Sequence, residues 1–254
     1  MEKPESRHLR LTSIYESFKQ LFNRAKAKDE FEYCCALWLG RGMQTVGWDT
    51  LQESHALLQQ ILSFVDGPID SGFRTRLLLL AYCHTIEMNF IYNMIANMIH
   101  ISLGKRYCAD WFDKDSQQAK KAPVSPGKKI EAIQKWIKDT EWQEMGEILS
   151  EMYLRDVRNA FAHADYVLFE DCVRIRDGNQ AKEYKLEFLL PKMELGINLA
   201  FILVQLTREG ILSYKENKRI SSRMEVNPLF EVELLVDPDY GLQGFHSVLK
   251  QKQP

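Results

Sequence analysis

The chain has no pair of cysteines in a Cys-x-x-Cys arrangement, and its five cysteines (Cys34, Cys35, Cys83, Cys108 and Cys172) are odd in number, two of them adjacent. That pattern speaks against a disulfide framework or a zinc cage and predicts reduced thiols in a cytoplasmic protein. Nor is there a Gly-rich phosphate loop or a regular βα alternation, so nucleotide-binding α/β folds are disfavoured, and no internal repeat is found. The opening MEKPESRHLRLTS lacks an apolar run of signal-peptide length, and export is not expected. Excess positive charge is missing too. The formal net charge of −2 removes the simplest case for bulk, sequence-independent nucleic-acid coating, which relies on many Lys and Arg contacts to phosphate.

Among long apolar runs one candidate stands out, from Leu77 to Leu103, but His84, Glu87, Asn89, Asn93 and Asn97 fall along it. Polar groups at that density predict a buried helix of a bundle and no membrane span. Basic residues do gather locally, in the lysine-rich segment Lys114 to Lys138 and in KENKRISSR, Lys215 to Arg223. Solvated surface is the plain reading of both; a footprint for an anionic substrate is the functional one. Aromatics near basic residues, RYCADWFDK and IQKWIKDTEW, invite base stacking, although Trp136 and Trp142 read better as core or interface anchors.

Helical spacing governs the first two thirds. Leu11, Ile14, Tyr15, Phe18, Leu21 and Phe22 fit one amphipathic helix, FEYCCALWLGRG a second ending at Gly40 and Gly42, and a third runs from Asp49 or Thr50 to about Asp66. A long helix is expected from Ser71 to about Leu103, then a mobile connection through Gly104, Pro123, Pro126 and Gly127. Helical spacing resumes at Lys128, breaks near Thr140 and continues to about His163. Polar and apolar residues then alternate in YVLFEDCVRIR and KEYKLEFLL, which predicts a β-hairpin with Asp177-Gly178 at its tip. A further helix is expected after Pro191, and FEVELLV reads as a short strand. The expected organisation is an N-terminal helical extension (1–69) packed on a core (70–217) that contains the hairpin (166–190), followed by a tail (218–254).

The polar cluster LRDVRNAFAHADY carries the chemistry. Arg155, Asn159 and His163 follow one another at i, i+4, so the Asn amide and the imidazole share a helix side. Arg158 lies five positions before His163, about 140° round an ideal helix. The two cannot stand side by side on one regular helix without local unwinding or a second copy. A two-fold axis beside this helix brings two sets of Arg, Asn and His together. A cation and an imidazole also favour a helix C-terminus for structural reasons alone.

The segment RNAFAH resembles the signature of the HEPN superfamily: an Arg, a polar residue after it, then His, here Arg158, Asn159 and His163 with four residues intervening. The resemblance covers mainly residues 70 to 215. It implies a mainly α, HEPN-like helical bundle with a β-hairpin insert before the C-terminal helix, and a homodimer whose motifs form one cleft. It also implies a metal-independent endoribonuclease without cofactor, in bacterial defence, antiviral or toxin systems with a cognate inhibitor or defence-system partner. The alternative is a catalytically inactive HEPN-like binding module.

Under that resemblance His163 serves as base for the ribose 2′-OH proton and as acid for the 5′-oxygen, because imidazole does both near neutral pH. Arg158 opposes the charge of the phosphorane-like transition state. Asn159 orients His163 or the phosphate, and RNA is the expected substrate. His84 and Glu87, three residues apart on one helix face, with Arg155 and Tyr166, are the expected supporting set. Of these, Glu87 is the candidate contact for Arg158. No metal is expected, since no carboxylate and His set has matching spacing. One HEPN subgroup carries a modifiable Tyr two residues after the motif His. Tyr166 stands three after His163 and sets this chain outside that pattern.

Overall fold

A computed structural model of the chain describes residues 4–42, 47–112, 124–177, 180–224 and 227–248. The chain is mainly helical with two small antiparallel sheets. Its first helices are α1 (Pro4–Lys28), α2 (Glu30–Leu39), α3 (Thr50–Val65) and α4 (Ser71–Glu87). Three of them begin in the same way. The carboxylates of Asp29, Asp49 and Asp70 accept the backbone N–H three residues on, at 3.1, 2.9 and 2.8 Å. Each satisfies a donor that the first helical turn leaves unpaired. Behind the caps, Ile14, Phe18, Leu21 and Phe22 of α1 lie in one core cluster with residues of α5 and α9 described below.

The helix expected from Ser71 to Leu103 is two helices. Met88 is extended (φ −65°, ψ 106°) and separates α4 from α5 (Asn89–Ser102). The buried Tyr92 donates its hydroxyl to Ile86 C=O at 2.9 Å, which satisfies a carbonyl that the broken helix no longer uses. A second expected helix is also interrupted. After α6 (Pro126–Ile137), the run to His163 divides into α7 (Gln143–Met152) and α8 (Arg155–Ala162). At this break the hydroxyl of fully buried Tyr82 donates to Met152 C=O at 2.9 Å and accepts from Leu154 N–H at 2.7 Å. One side chain from α4 thus closes the end of one helix and opens the next.

The expected mobile connection is partly fixed. Asn97 of α5, 1% exposed, accepts at Oδ1 from Cys108 N–H (2.9 Å) and Trp111 Nε1–H (2.8 Å) and donates to Cys108 C=O (3.0 Å). The Trp111 ring lies 3.7 Å from that of buried His100, which also meets Trp136 at 4.5 Å. Residues 104–112 are therefore pinned to α5, while 113–123 lie outside the described residues. The polar stripe of the apolar candidate span is used to hold a loop. Trp142 is buried and Trp136 packs against the core.

Instead of a two-stranded hairpin there is a three-stranded meander of β1 (Tyr166–Leu168), β2 (Cys172–Asp177) and β3 (Gln180–Lys185). Gly178 of the expected tip lies outside the described residues. The EFLL that alternation assigned to a strand belongs to α9 (Leu186–Leu212), which starts before Pro191 and includes it. Proline there withholds one N–H from the carbonyl four residues earlier, and thirteen buried residues of the 27-residue helix outweigh that loss. Among the described residues α9 alone is long and apolar enough to cross a membrane. Its apolar surface instead packs on α4, α7, α1 and α2.

The stretch expected as a tail forms a second sheet, β4 (Lys218–Met224), β5 (Asn227–Asp237) and β6 (Gly241–Val248), set on α2 and α9. Gly241 has φ +74°, and a Cβ there would stand 2.3 Å from Ile211 C=O, so glycine is required by both backbone and space.

Tyr82→Phe keeps the ring and removes the hydroxyl, leaving a buried C=O and N–H unpaired. We expect a loss of about 1–3 kcal/mol in denaturant unfolding. An unchanged midpoint would show that the break between α7 and α8 is held by something else.

Candidate functional site

Helix α8 is short and strongly two-sided. Val157 and Ala160 are buried, and Phe161 stacks on Tyr166 of β1 with ring centroids 5.3 Å apart. In the first turn Asp156 accepts from Lys182 Nζ at 2.7 Å and Tyr184 Oη at 2.9 Å, tying β3 to the helix. Those hydrogen bonds, from Lys182 first and then Tyr184, hold the Asp156 carboxyl below the usual carboxylate range.

The far end closes with two backbone bonds, Asp165 N–H to Ala160 C=O at 2.8 Å and Ala164 N–H to Phe161 C=O at 3.2 Å. This is the Schellman arrangement, whose penultimate position is left-handed and usually glycine. Here it is Ala164 at φ +55°, the single positive-φ non-glycine among the described residues. His163 is the C-cap, exposed, at the point where the chain turns from helix to sheet.

Arg158 is held by α4. Its guanidinium pairs with Glu87, the last residue of α4, through Nε and Nη2, and donates from Nη1 to Asn159 Oδ1 at 2.7 Å. The Arg158 side chain is 25% exposed and that of Glu87 47%. Glu87 also lines a recess of about 240 Å³ with His84, Thr50, Leu51, Ser54, Met88, Asn89 and Phe90. The His84 Nε2 is buried there without a hydrogen-bond partner, and burial pushes its imidazole below the ordinary value.

Asn159 and His163 line a different recess of about 180 Å³, together with Asp156, Ala160, Asp165, Ile175 and Arg176. The structure therefore brings Arg158, Asn159 and Glu87 into contact and places Asn159 and His163 in one recess. It does not bring Arg158 and His163 into one recess. Asn159 is the link between the two. Arg155 is exposed and lines neither recess; Tyr166 faces a broad groove of about 840 Å³ that adjoins the His163 recess through shared Asp165, Ile175 and Arg176.

Residues that the sequence pattern did not single out also shape the site. Asp156 fixes the sheet to α8, and Arg176 closes one wall of the recess with Asp165 at 3.6 Å. The alternation in VRIR was the signal that Arg174 and Arg176 share a face. Tyr82, which places α8, left no local trace. Among the described residues no group of three or more His, Cys, Asp or Glu is arranged to hold a metal ion.

No protein-family model, curated protein or solved structure matches the chain. The resemblance to HEPN proteins thus rests on Arg158, Asn159 and His163 and their helical setting.

Ala164→Gly should stabilise the protein by about 1 kcal/mol, since glycine carries no Cβ penalty in the left-handed region; equal unfolding midpoints would refute that strain. A pH effect follows from Asp156. Its folded pKa is depressed, so its contribution is present above the unfolded carboxylate range and is lost as pH falls through the folded value. Denaturant stability measured from neutral pH down to about 3 should fall less steeply in Asp156→Asn than in the parent. Parallel curves would exclude Asp156 as the acid-sensitive anchor.

Proposed function

We propose that this chain is a metal-independent endoribonuclease of the HEPN type, with Arg158, Asn159 and His163 as its working set. The observation that carries this reading is the position of Asn159, which accepts from Arg158 on one side and lines the His163 recess on the other. In a dimer, a phosphodiester laid at Asn159 meets the imidazole of that protomer and the Arg158 guanidinium of a second copy. His163 removes the ribose 2′-OH proton, the oxygen attacks phosphorus, and Arg158 turns donors from Glu87 to the charge that builds on the phosphorane. The 5′-oxygen leaves with a proton from imidazolium, giving a 2′,3′-cyclic phosphate. Asn159 serves as the orienting group.

Arg158 lies outside the His163 recess and is held by Glu87, so we take the two groups from two copies. We infer a homodimer in which Arg158 of one protomer works with His163 of the other. A defence or toxin setting with a cognate inhibitor follows from the same resemblance. The cysteines are free thiols, four of them buried, which suits the reducing cytoplasm where we place the protein.

Two observations favour the second reading, a catalytically inactive interaction module. Glu87 already neutralises Arg158, and no described residue hydrogen-bonds the His163 ring to orient it.

Purified protein incubated with labelled RNA in EDTA distinguishes the readings. The enzyme cleaves, leaves cyclic-phosphate ends, and loses at least about a hundredfold in rate in Arg158→Ala and in His163→Ala. Mixing those two variants then restores up to about one quarter of the activity, because half of the hybrid dimers' sites are intact and half of the dimers are hybrid. Cleavage retained in both variants removes these residues from the site; no restoration on mixing places the site within one chain.

A further inference from the structure

The strand register sorts the meander into two faces. Val167 pairs with Arg174, and Arg174 with Glu183, so these three stand in one cross-strand row. Arg176 lies two residues beyond Arg174 and therefore on the same side, while Ile175 between them is 3% exposed on the opposite, core-facing side. The outward side carries apolar and aromatic surface together with the two arginines. Val167 is 57% exposed and Phe169 42%, and the Arg174 guanidinium lies 4.6 Å over the Phe169 ring. These residues line the groove of about 840 Å³, which opens into the His163 recess at Asp165, Ile175 and Arg176.

From this arrangement we propose that the outward face of the β1–β3 sheet is a track for single-stranded RNA that leads the scissile phosphate to His163. The assignment rests on the ribonuclease reading. A solvent-facing aromatic at the end of a strand is a platform for an unpaired base, and Arg174 of β2 stacked on it extends the platform with a cationic plane. Arg176, its side chain 71% exposed, meets Asp165 at 3.6 Å, a loose surface pair that a phosphate oxygen replaces at little cost. Arg174 keeps Nε on Glu183 at 2.9 Å, which fixes the guanidinium over Phe169 instead of removing it from the groove.

The chemistry also selects the class of ligand. A base reaches Phe169 only when it is unstacked from its neighbours, and a continuous duplex holds its bases inside. Three short strands offer room for about two or three nucleotides, the usual load of such a sheet face. Val167 and Phe169 follow His163 in the chain by four and six residues, so RNA lying along the outward side of β1 from Phe169 runs toward the imidazole.

Binding is tested apart from cleavage in His163→Ala, by fluorescence anisotropy with a short fluorescein-labelled single-stranded RNA. Phe169→Ala and Arg174→Ala, each added to that background, should weaken binding about tenfold, while the same RNA annealed to its complement binds poorly to all three proteins. Phe169 is exposed, and circular dichroism checks that each variant is folded. Unchanged affinity in both variants overturns the track, and so does duplex bound as tightly as single strand. If single-stranded RNA is bound through Phe169 and Arg174 but the parent protein never cleaves it, the ribonuclease reading falls and the track stands. If the parent cleaves RNA through His163 and Phe169→Ala cleaves at the same rate at subsaturating RNA, the track falls and the ribonuclease reading stands.

Discussion

The hydroxyl of Tyr82 is the constraint on which the candidate site depends. A helix ending at Met152 and another starting at Arg155 leave backbone groups unpaired inside the protein, and an unpaired buried group costs about as much as a lost hydrogen bond. Tyr82 satisfies both sides of the junction at once, accepting from Leu154 and donating to Met152. Because the tyrosine belongs to α4, the junction is fixed to the helix that ends in Glu87. The direction of α8 follows, and with it the reach of Arg158 to Glu87. Helix α9 passes close by as well: a Cβ built on Gly196 would stand 3.6–3.7 Å from Tyr82, Ile86 and Met152, in ordinary contact. Three helices thus meet around one phenol.

What the sequence made legible, and what it did not, divides along the range of the forces concerned. Local chemistry was readable. The helices that start at Asp29, Asp49 and Asp70 have their caps within the same four residues, and the apolar spacing of α1 describes the face it buries. The interruptions at Met88 and at Tyr153–Leu154 contain no proline or glycine, and their compensating hydroxyls come from Tyr92 and Tyr82, the latter 70 residues away. Such breaks are settled by tertiary partners, so periodicity ran through them. The same holds for residues 104–112, whose irregular backbone is answered by the buried Asn97. In EFLL, alternation and helical propensity conflict, and burial on the core of α9 decides for the helix.

Within the site, wheel geometry anticipated the pairing of Asn159 with His163 and the separation of Arg158 from both ring and recess, because α8 is regular through Ala162. The Schellman turn was not legible, since Ala164 occupies a position where glycine would have announced it. The role of Asp156 needed the fold, because its partners Lys182 and Tyr184 lie on a strand that only the meander brings alongside.

The pair of Arg158 and Glu87 has its own logic. A carboxylate on the last residue of a helix faces the negative end of the macrodipole, an unfavourable placement worth up to about 1 kcal/mol at a surface. Arg158 offsets it. With the Glu87 side chain about half exposed, the pair sits nearer the surface limit than the buried one, so its net contribution is modest and its partners are exchangeable. An anion that draws the guanidinium away leaves Glu87 uncompensated at the end of α4, and the restoring force acts on Arg158 as soon as the anion departs. On the proposed ribonuclease reading, in which Arg158 holds a transient charge and then lets go, a counter-ion that is moderately bound and poorly placed without its partner is better suited than either a free arginine or a deeply buried pair.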